Sequence, residues 1–204
     1  FHLMREFDFI IIGSGAGGLT AALHAAEHGR VALLTKHTAA ESNSSWAQGG
    51  IACVQADDDS IEQHVSDTLI AGAGLCKEAA VRTIVTEGPA RIEEIINWGV
   101  HFDQKEATDG HLEFDLTREG GHTRRRVLHS RDATGREITD KLIQAVRSHS
   151  KIEVLETKSR GEGISQQKVR VEIAPGHHCR CHLVKPDAVA GSAAGPASAK
   201  EPCP

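Results

Sequence analysis

Phe7-Asp8-Phe9-Ile10-Ile11-Ile12-Gly13-Ser14-Gly15-Ala16-Gly17-Gly18 is the stretch that decides the fold. It reads as a short apolar β-strand that runs straight into a glycine-rich turn. Glycines at 13, 15 and 18 make a G-x-G-x-x-G pattern. Its logic is a tight turn, close backbone approach to a pyrophosphate, and close packing of helix on strand. A helix follows, with Leu19, Ala22, Leu23 and Ala26 on one face and Gly29 placed to close it. Phosphates would lie against the unpaired N–H groups at that helix start, at the positive end of its dipole. Val31 to Thr35 then reads as a second strand, completing a β-α-β unit and predicting an α/β, Rossmann-like fold with a central parallel sheet. The alternative is a strand-turn-helix with no ligand; the strand before and the helix after favour a nucleotide. In the usual dinucleotide fingerprint an acidic residue ends the second strand and holds the ribose hydroxyls. Here Thr35-Lys36 stands in that place. A lysine could donate to phosphate or ribose oxygens, or be a solvated residue at a strand end, and spacing does not choose.

Working outward, 204 residues suit one ordinary domain with a core. The net charge of -5, of mixed sign along the chain, gives no clustered basic face for nucleic acid. Arg124-Arg125-Arg126 is the one basic run and reads as a solvated or anion-facing loop. No apolar run approaches the roughly 20 residues of a membrane span. The first strand ends in a glycine turn and not in a cleavage site, so a cytoplasmic location is expected. Five cysteines are an odd number at irregular spacing, unlike a disulfide framework. His177-His178-Cys179-Arg180-Cys181-His182 has metal-binding atoms without the paired spacing of a structural zinc site, and no metal is expected.

Thr38 to Gly50 is rich in small polar residues and has neither helical nor strand period. It suits a segment that wraps a polar ligand with hydroxyl, amide and backbone donors, or an ordinary surface loop. Ser60 and Gln63 form a capping box for a helix whose stripe is Ile61, Val65 and Leu69. A further helix from Lys77 carries Val81, Ile84 and Val85, is expected to break at Gly88-Pro89, and resumes with Ile92, Ile95 and Ile96. Leu112, Phe114 and Leu116 alternate as in a strand and lead into Thr117-Arg118-Glu119-Gly120-Gly121-His122. Either the glycines expose the Glu119 carboxylate for use, or Arg118 and Glu119 are a surface pair on a hairpin turn. Thr134 and Glu137 are spaced as a capping box before the stripe Ile138, Leu142, Ala145 and Val146. Ile152 to Leu155 and Val169, Val171 and Ile173 read as strands.

From Ala174 onward the chain is proline, glycine, alanine and serine around the histidine-cysteine cluster, without period. Such composition buries too little large apolar surface to offset ordering entropy. Residues 1–173 are therefore expected to form the folded part, and 174–204 an unpatterned tail, disordered or read in a shifted frame. Phe1 in place of methionine likewise suggests a fragment, with Met4 as the natural start.

Several motifs taken together resemble the L-aspartate oxidase family, within the wider succinate dehydrogenase and fumarate reductase flavoprotein group. They are the Gly13–Gly18 turn, Thr35-Lys36, Ser44-Ser45-Trp46-Ala47-Gln48-Gly49-Gly50-Ile51-Ala52, Leu116-Thr117-Arg118-Glu119-Gly120-Gly121-His122 and His129-Ser130-Arg131-Asp132-Ala133-Thr134-Gly135-Arg136. They occur in the family's order over roughly residues 7–156. The resemblance implies FAD as cofactor, oxidation of L-aspartate to iminosuccinate at the start of NAD biosynthesis, oxygen or fumarate as electron acceptor, and a pathway contact with quinolinate synthase. It implies that FAD is held by Gly13, Ser14, Gly15, Ala16, Gly17, Gly18, Thr35, Lys36, Asn43, Ser44, Ser45, Gln48, Gly49 and Gly50. Asn43 stands where the dehydrogenases carry a histidine bonded covalently to FAD, so the cofactor is expected to be noncovalent. Glu119 stands where the oxidases use a carboxylate to recognise the substrate amino group. The family's catalytic arginine and substrate histidines lie beyond this chain, as do its capping domain and the second pass of its FAD domain. The chain by itself is therefore expected to be an incomplete, inactive portion of the oxidase. A fumarate reductase or succinate-oxidising flavoprotein, and a non-catalytic nucleotide-binding remnant, are the competing readings.

Overall fold

The structure is a computed structural model and describes residues 5–131, 133–156, 170–174 and 177–180. The chain divides into two compact units, 1–159 and 160–204.

In the first unit, β1 (Phe9–Ile12), β2 (Val31–Thr35) and β7 (Ile152–Glu156) form a parallel sheet in the order β1-β2-β7. Phe9 pairs with Val31 and Ile12 with Leu34; Val31 also pairs with Ile152 and Thr35 with Glu156. Central β2 is buried along most of its length, as the unbroken apolar run Val31-Ala32-Leu33-Leu34 requires of a strand covered on both faces. Among the described strands β1 lies at one edge of this sheet, and Ile12 at its end is 72% exposed.

Helix α1 (Ala16–His28) crosses from β1 to β2 and buries Leu19, Ala22, Leu23 and Ala26, the four positions its periodicity marks. Gly29 caps it through its N–H to Ala25 O. α4 (Thr134–Ser148) packs against α1 with Ile138, Leu142, Ile143 and Val146 buried. These side chains, with Val31 and Leu33, make the core beneath the glycine turn. Truncating a fully buried leucine such as Leu142 to alanine would cost about 2–5 kcal/mol.

Helices α2 (Ile61–Ala71) and α3 (Glu78–Asn97) pack on each other. Ser60 caps α2 by accepting from the Gln63 N–H at 3.2 Å, but the return half of the expected box is absent, because Gln63 Nε2 donates to Asp67 and the Ser60 N–H to Asp59. α3 differs from expectation, because it runs unbroken through Gly88-Pro89. Gly88 has no Cβ to meet the proline ring, which relieves one of the clashes, while the missing N–H still costs one backbone bond. The α2 stripe differs too. Val65 is buried, but its buried companions are His64 and Asp67, while Ile84 on α3 is 73% exposed. The Thr134–Glu137 capping box does not form. The Thr134 hydroxyl accepts from the Ser130 N–H at 3.1 Å, and Glu137 accepts from the His101 N–H. Tertiary partners outcompete the local cap.

Three short ladders complete the described strands. β3 (Ile51–Ala52) pairs antiparallel with β6 (Val127–Leu128), and β4 (Gln104–Glu106) with β5 (Leu112–Phe114). In the second unit β8 (Arg170–Ala174) pairs antiparallel with β9 (His177–Arg180), with an irregularity between Glu172 and Ala174. The expected boundary between residues 173 and 174 falls within β8. The remainder of the tail lies outside the described residues, as does Asp132 of the motif that begins at His129.

Candidate functional site

The glycine turn is shaped by close backbone approach. Gly13 has φ +107, which a side chain would strain, and its N–H donates to Leu34 O at 2.8 Å, tying the turn to β2. A Cβ on Gly18 would stand 2.0 Å from Gly13 O, so only glycine lets the first turn of α1 fold back over the end of β1. The N-cap Gly15 provides no side-chain acceptor, and the first turn of α1 holds no acidic residue. Its first amide, the Ala16 N–H, donates to Ser44 Oγ, so an anion at the positive end of the helix dipole would meet the amides that follow it. Cβ atoms on Gly13 or Gly17 would meet nothing within 4 Å, so the backbone there borders open space.

Other predicted residues converge on this turn. The buried Ser14 and Thr35 hydroxyls bond to each other at 3.0 Å, locking the turn to the end of β2. Ser44 sits on a short 3-10 helix, Asn43–Trp46, and its Oγ accepts from the Ala16 N–H at 3.1 Å. That hydroxyl keeps its own proton as a donor. The 3-10 helix is capped by Ser42, which accepts from the Ser45 N–H, while Ser45 Oγ donates to Ser42 O at 2.6 Å. Gln48 and Gly49 follow as exposed residues, and Gly50 passes β6 so closely that a Cβ would meet Leu128 O. Lys36 lies exposed just past β2. Spacing did not single out Gly135 as a contact. Its N–H donates to Ala47 O at 3.0 Å, and a Cβ there would collide with Ser44 O and Ala47 O. The start of α4 is thus the seat on which the 3-10 helix rests.

These groups fit a dinucleotide. They offer open glycine backbone, helix-start amides beyond the one that Ser44 takes, and hydroxyl donors, and they have the anion preference of a helix N-terminus. The matching family is described as an FAD binding domain and covers residues 8–172. The chain belongs to the FAD-binding domain family. Its sequence matches an N-terminal portion of L-aspartate oxidases. It is 48% identical over 177 residues to L-aspartate oxidase 1 of Ralstonia nicotianae, covering 87% of this chain and 32% of that protein. It is 51% identical over 152 residues to the chloroplastic L-aspartate oxidase 2-a of Nicotiana tabacum, covering 74% of this chain and 23% of that one. The chain thus spans a third or less of the length of these relatives. Among solved structures, E. coli quinol fumarate reductase superposes with a TM-score of 0.67 at 30% identity, covering 74% of this chain and 26% of that one. FAD is the cofactor of this FAD-binding domain. Among the described residues, no helix is long and apolar enough to cross a membrane.

Glu119 stands apart from the glycine turn. It is exposed on a loop closed where Thr117 meets Val127, with Arg118 beside it and Gly121 at φ +83. Among the described contacts, its backbone carbonyl accepts from the His122 N–H at 3.2 Å. Thr117, Arg118, Thr123, Arg124, Arg125 and Asp58 line an open cleft of about 550 Å³ at this loop.

Under the loop lies a group of charges that the sequence did not reveal. Arg126, read from sequence as part of a solvated or anion-facing run, has 0% exposure. Its Nε and Nη2 each donate to Asp59 at 2.7 Å, and its Nη1 donates to Asp67 at 2.6 Å. Arg126 Nη1 also lies 3.2 Å from His122 Nδ1. Asp67 further accepts from the Thr123 N–H at 2.9 Å, the Thr123 hydroxyl at 2.8 Å and Gln63 Nε2 at 3.0 Å. Burial alone would raise the Asp67 carboxyl, but these donors outweigh it and hold the group far below the usual carboxylate range. Asp59 is likewise lowered, because hydrogen bonds from Arg126 and the Ser60 amide outweigh its burial. Hydrogen bonding to Asp59 raises Arg126. His64, edge-on to His122 with ring centroids 5.7 Å apart, is lowered by burial and then by the Arg126 and His122 charges. Its buried Nδ1 has no hydrogen-bond partner among the described residues.

Proposed function

We propose that this chain is the FAD-binding portion of an L-aspartate oxidase, a cytoplasmic enzyme that oxidises L-aspartate to iminosuccinate at the start of NAD biosynthesis. The observation that carries the reading is the 48% identity to an L-aspartate oxidase across 87% of the chain, with Glu119 in the loop. The Gly13–Gly18 turn and the α1 amides would hold the FAD pyrophosphate, with Ser14, Ala16, Thr35 and Lys36 around the turn. Asn43, Ser44, Ser45, Gln48, Gly49 and Gly50 would contribute further contacts to the cofactor. It is held without a covalent bond.

When bound, FAD supplies the electron sink for the hydride leaving Cα of aspartate. This chain's own residues bind and orient. Glu119 accepts hydrogen bonds from the substrate ammonium, a charge-assisted contact that succinate lacks. Oxygen or fumarate would take up the electrons, and the product would be passed to quinolinate synthase. The remaining carboxylate contacts and the base come from the length of the oxidase beyond this chain.

The solved fumarate reductase neighbour supports a second reading, succinate oxidation or fumarate reduction on the same fold. The full-length protein, assayed on both substrates, separates the two. Higher kcat/KM on L-aspartate than on succinate is expected, and the reverse order overturns the proposal. Glu119→Gln should lower kcat/KM for L-aspartate about tenfold or more, the loss of one charge-assisted hydrogen bond, while sparing fumarate reduction.

A further inference from the structure

Glu119 sits beside Gly120-Gly121 on an exposed turn, a setting that by itself fixes no direction for a carboxylate. The loop that carries it is nevertheless tied down from beneath. Thr117 O accepts from both the Arg126 and Val127 N–H groups, and the Thr117 N–H donates to Val127 O. Arg125 Nε donates to Leu116 O at 2.8 Å, closing the same neck. Within the loop, Thr123 binds Asp67 of α2 through both its N–H and its hydroxyl. At its end, Arg126 clamps Asp67 and, by two parallel bonds, Asp59 of the segment before α2. At the tip, Gly121 lies against α2, where a Cβ would be 3.3 Å from Ala71 Cβ. Three points along one short loop are thus referred to a single helix.

Burying such ions is a poor route to stability, since desolvation costs about as much as the pairing returns. What a bidentate guanidinium and a carboxylate with several donors do supply is fixed geometry. From this we infer that the buried Asp59–Arg126–Asp67 cluster, joined by Thr123, is a positioning device. It holds the 117–127 loop so that Glu119 meets the substrate ammonium in register. Arg126, which has no exposed surface, and the Thr123 hydroxyl, bound to Asp67, act through Glu119. The inference rests on the role proposed for Glu119.

The test uses Thr123→Val, which removes the hydroxyl bond to Asp67 and keeps the backbone one, with Thr123→Ser as the conservative rescue. Steady-state kinetics of the full-length protein on L-aspartate and on fumarate are combined with FAD binding and with trypsin cleavage at Arg118, Arg124 and Arg125. Thr123→Val is expected to raise KM for L-aspartate roughly tenfold, speed loop cleavage, and leave FAD affinity and fumarate reduction unchanged. Thr123→Ser restores the parent values. An unchanged KM with a faster-cleaved loop overturns the inference, and so does an equal loss on both substrates, which would mark a purely structural role. Glu119→Gln run in parallel keeps the two ideas separate. If it leaves the ratio of aspartate to fumarate activity unchanged, the Glu119 role falls. If it shifts the ratio and Thr123→Val does not, only the positioning role falls.

Discussion

Gly18→Ala is the substitution whose effect follows most directly from the geometry. The added Cβ would stand 2.0 Å from Gly13 O and 3.0 Å from Gly13 C, both backbone atoms that cannot rotate away. Opening 2.0 Å to the 3.4 Å of ordinary contact requires the turn and helix to part by about 1.4 Å. Such a shift breaks the aim of the α1 amides at a pyrophosphate. Losing two charge-assisted amide-to-phosphate bonds is worth roughly 3 kcal/mol or more, hence at least about a hundredfold in affinity. Titration of FAD by quenching of flavin fluorescence, repeated with ADP, reads this directly, because the loss should fall on the ADP half. Gly17→Ala is the control. Its Cβ meets nothing within 4 Å, and alanine favours a helix by about 1 kcal/mol over glycine. Wild-type FAD affinity in Gly18→Ala, or an equal loss in Gly17→Ala, would refute close packing as the reason for the glycine.

Stability should fall on acidification in two stages. His64 titrates below its ordinary 6.5 in the fold, so the unfolded chain takes up its proton first and stability declines as pH drops through about 6.5. Asp59 and Asp67 are depressed from an ordinary 3.8, so their contribution is complete above that value and lost as pH falls below it. In thermal melts from pH 8 to pH 3, His64→Gln should remove the first stage and Asp67→Asn should flatten the second. An acid limb unchanged in Asp67→Asn would contradict the assignment. Gly135→Ala should destabilise by about 3 kcal/mol through collision with the 3-10 helix and weaken FAD as well, whereas exposed Arg136→Ala should do neither. Denaturant melts and flavin titration of the two variants make the comparison.

The first β-α-β unit was legible in the sequence because every signal in it is local. The apolar run at Phe9–Ile12, the glycine spacing and the α1 stripe each report on neighbours a few residues away, and burial of Leu19, Ala22, Leu23 and Ala26 follows from period alone. The link between Ser44 and the glycine turn was reached only through resemblance, since 28 residues separate the bonded groups. The expected break at Gly88-Pro89 does not occur, and the missing Cβ at 88 relieves one of the contacts that make proline a stop.

Sequence by itself determined the dinucleotide turn, the parallel β-α-β start, the family resemblance and Glu119 as the residue to watch, all carried by contiguous motifs. Only the tertiary structure decided what holds those motifs in place. Arg126 looks like its neighbours Arg124 and Arg125 in the sequence, yet it alone of the three is buried, paired with carboxylates 67 and 59 residues away. Gly135 is likewise an ordinary helix-start glycine until Ser44 O and Ala47 O are found where its Cβ would be. An ion pair or a close backbone approach leaves no period and no motif in either partner. It exists only once the chain has brought both together, and so no reading along one strand of sequence can contain it.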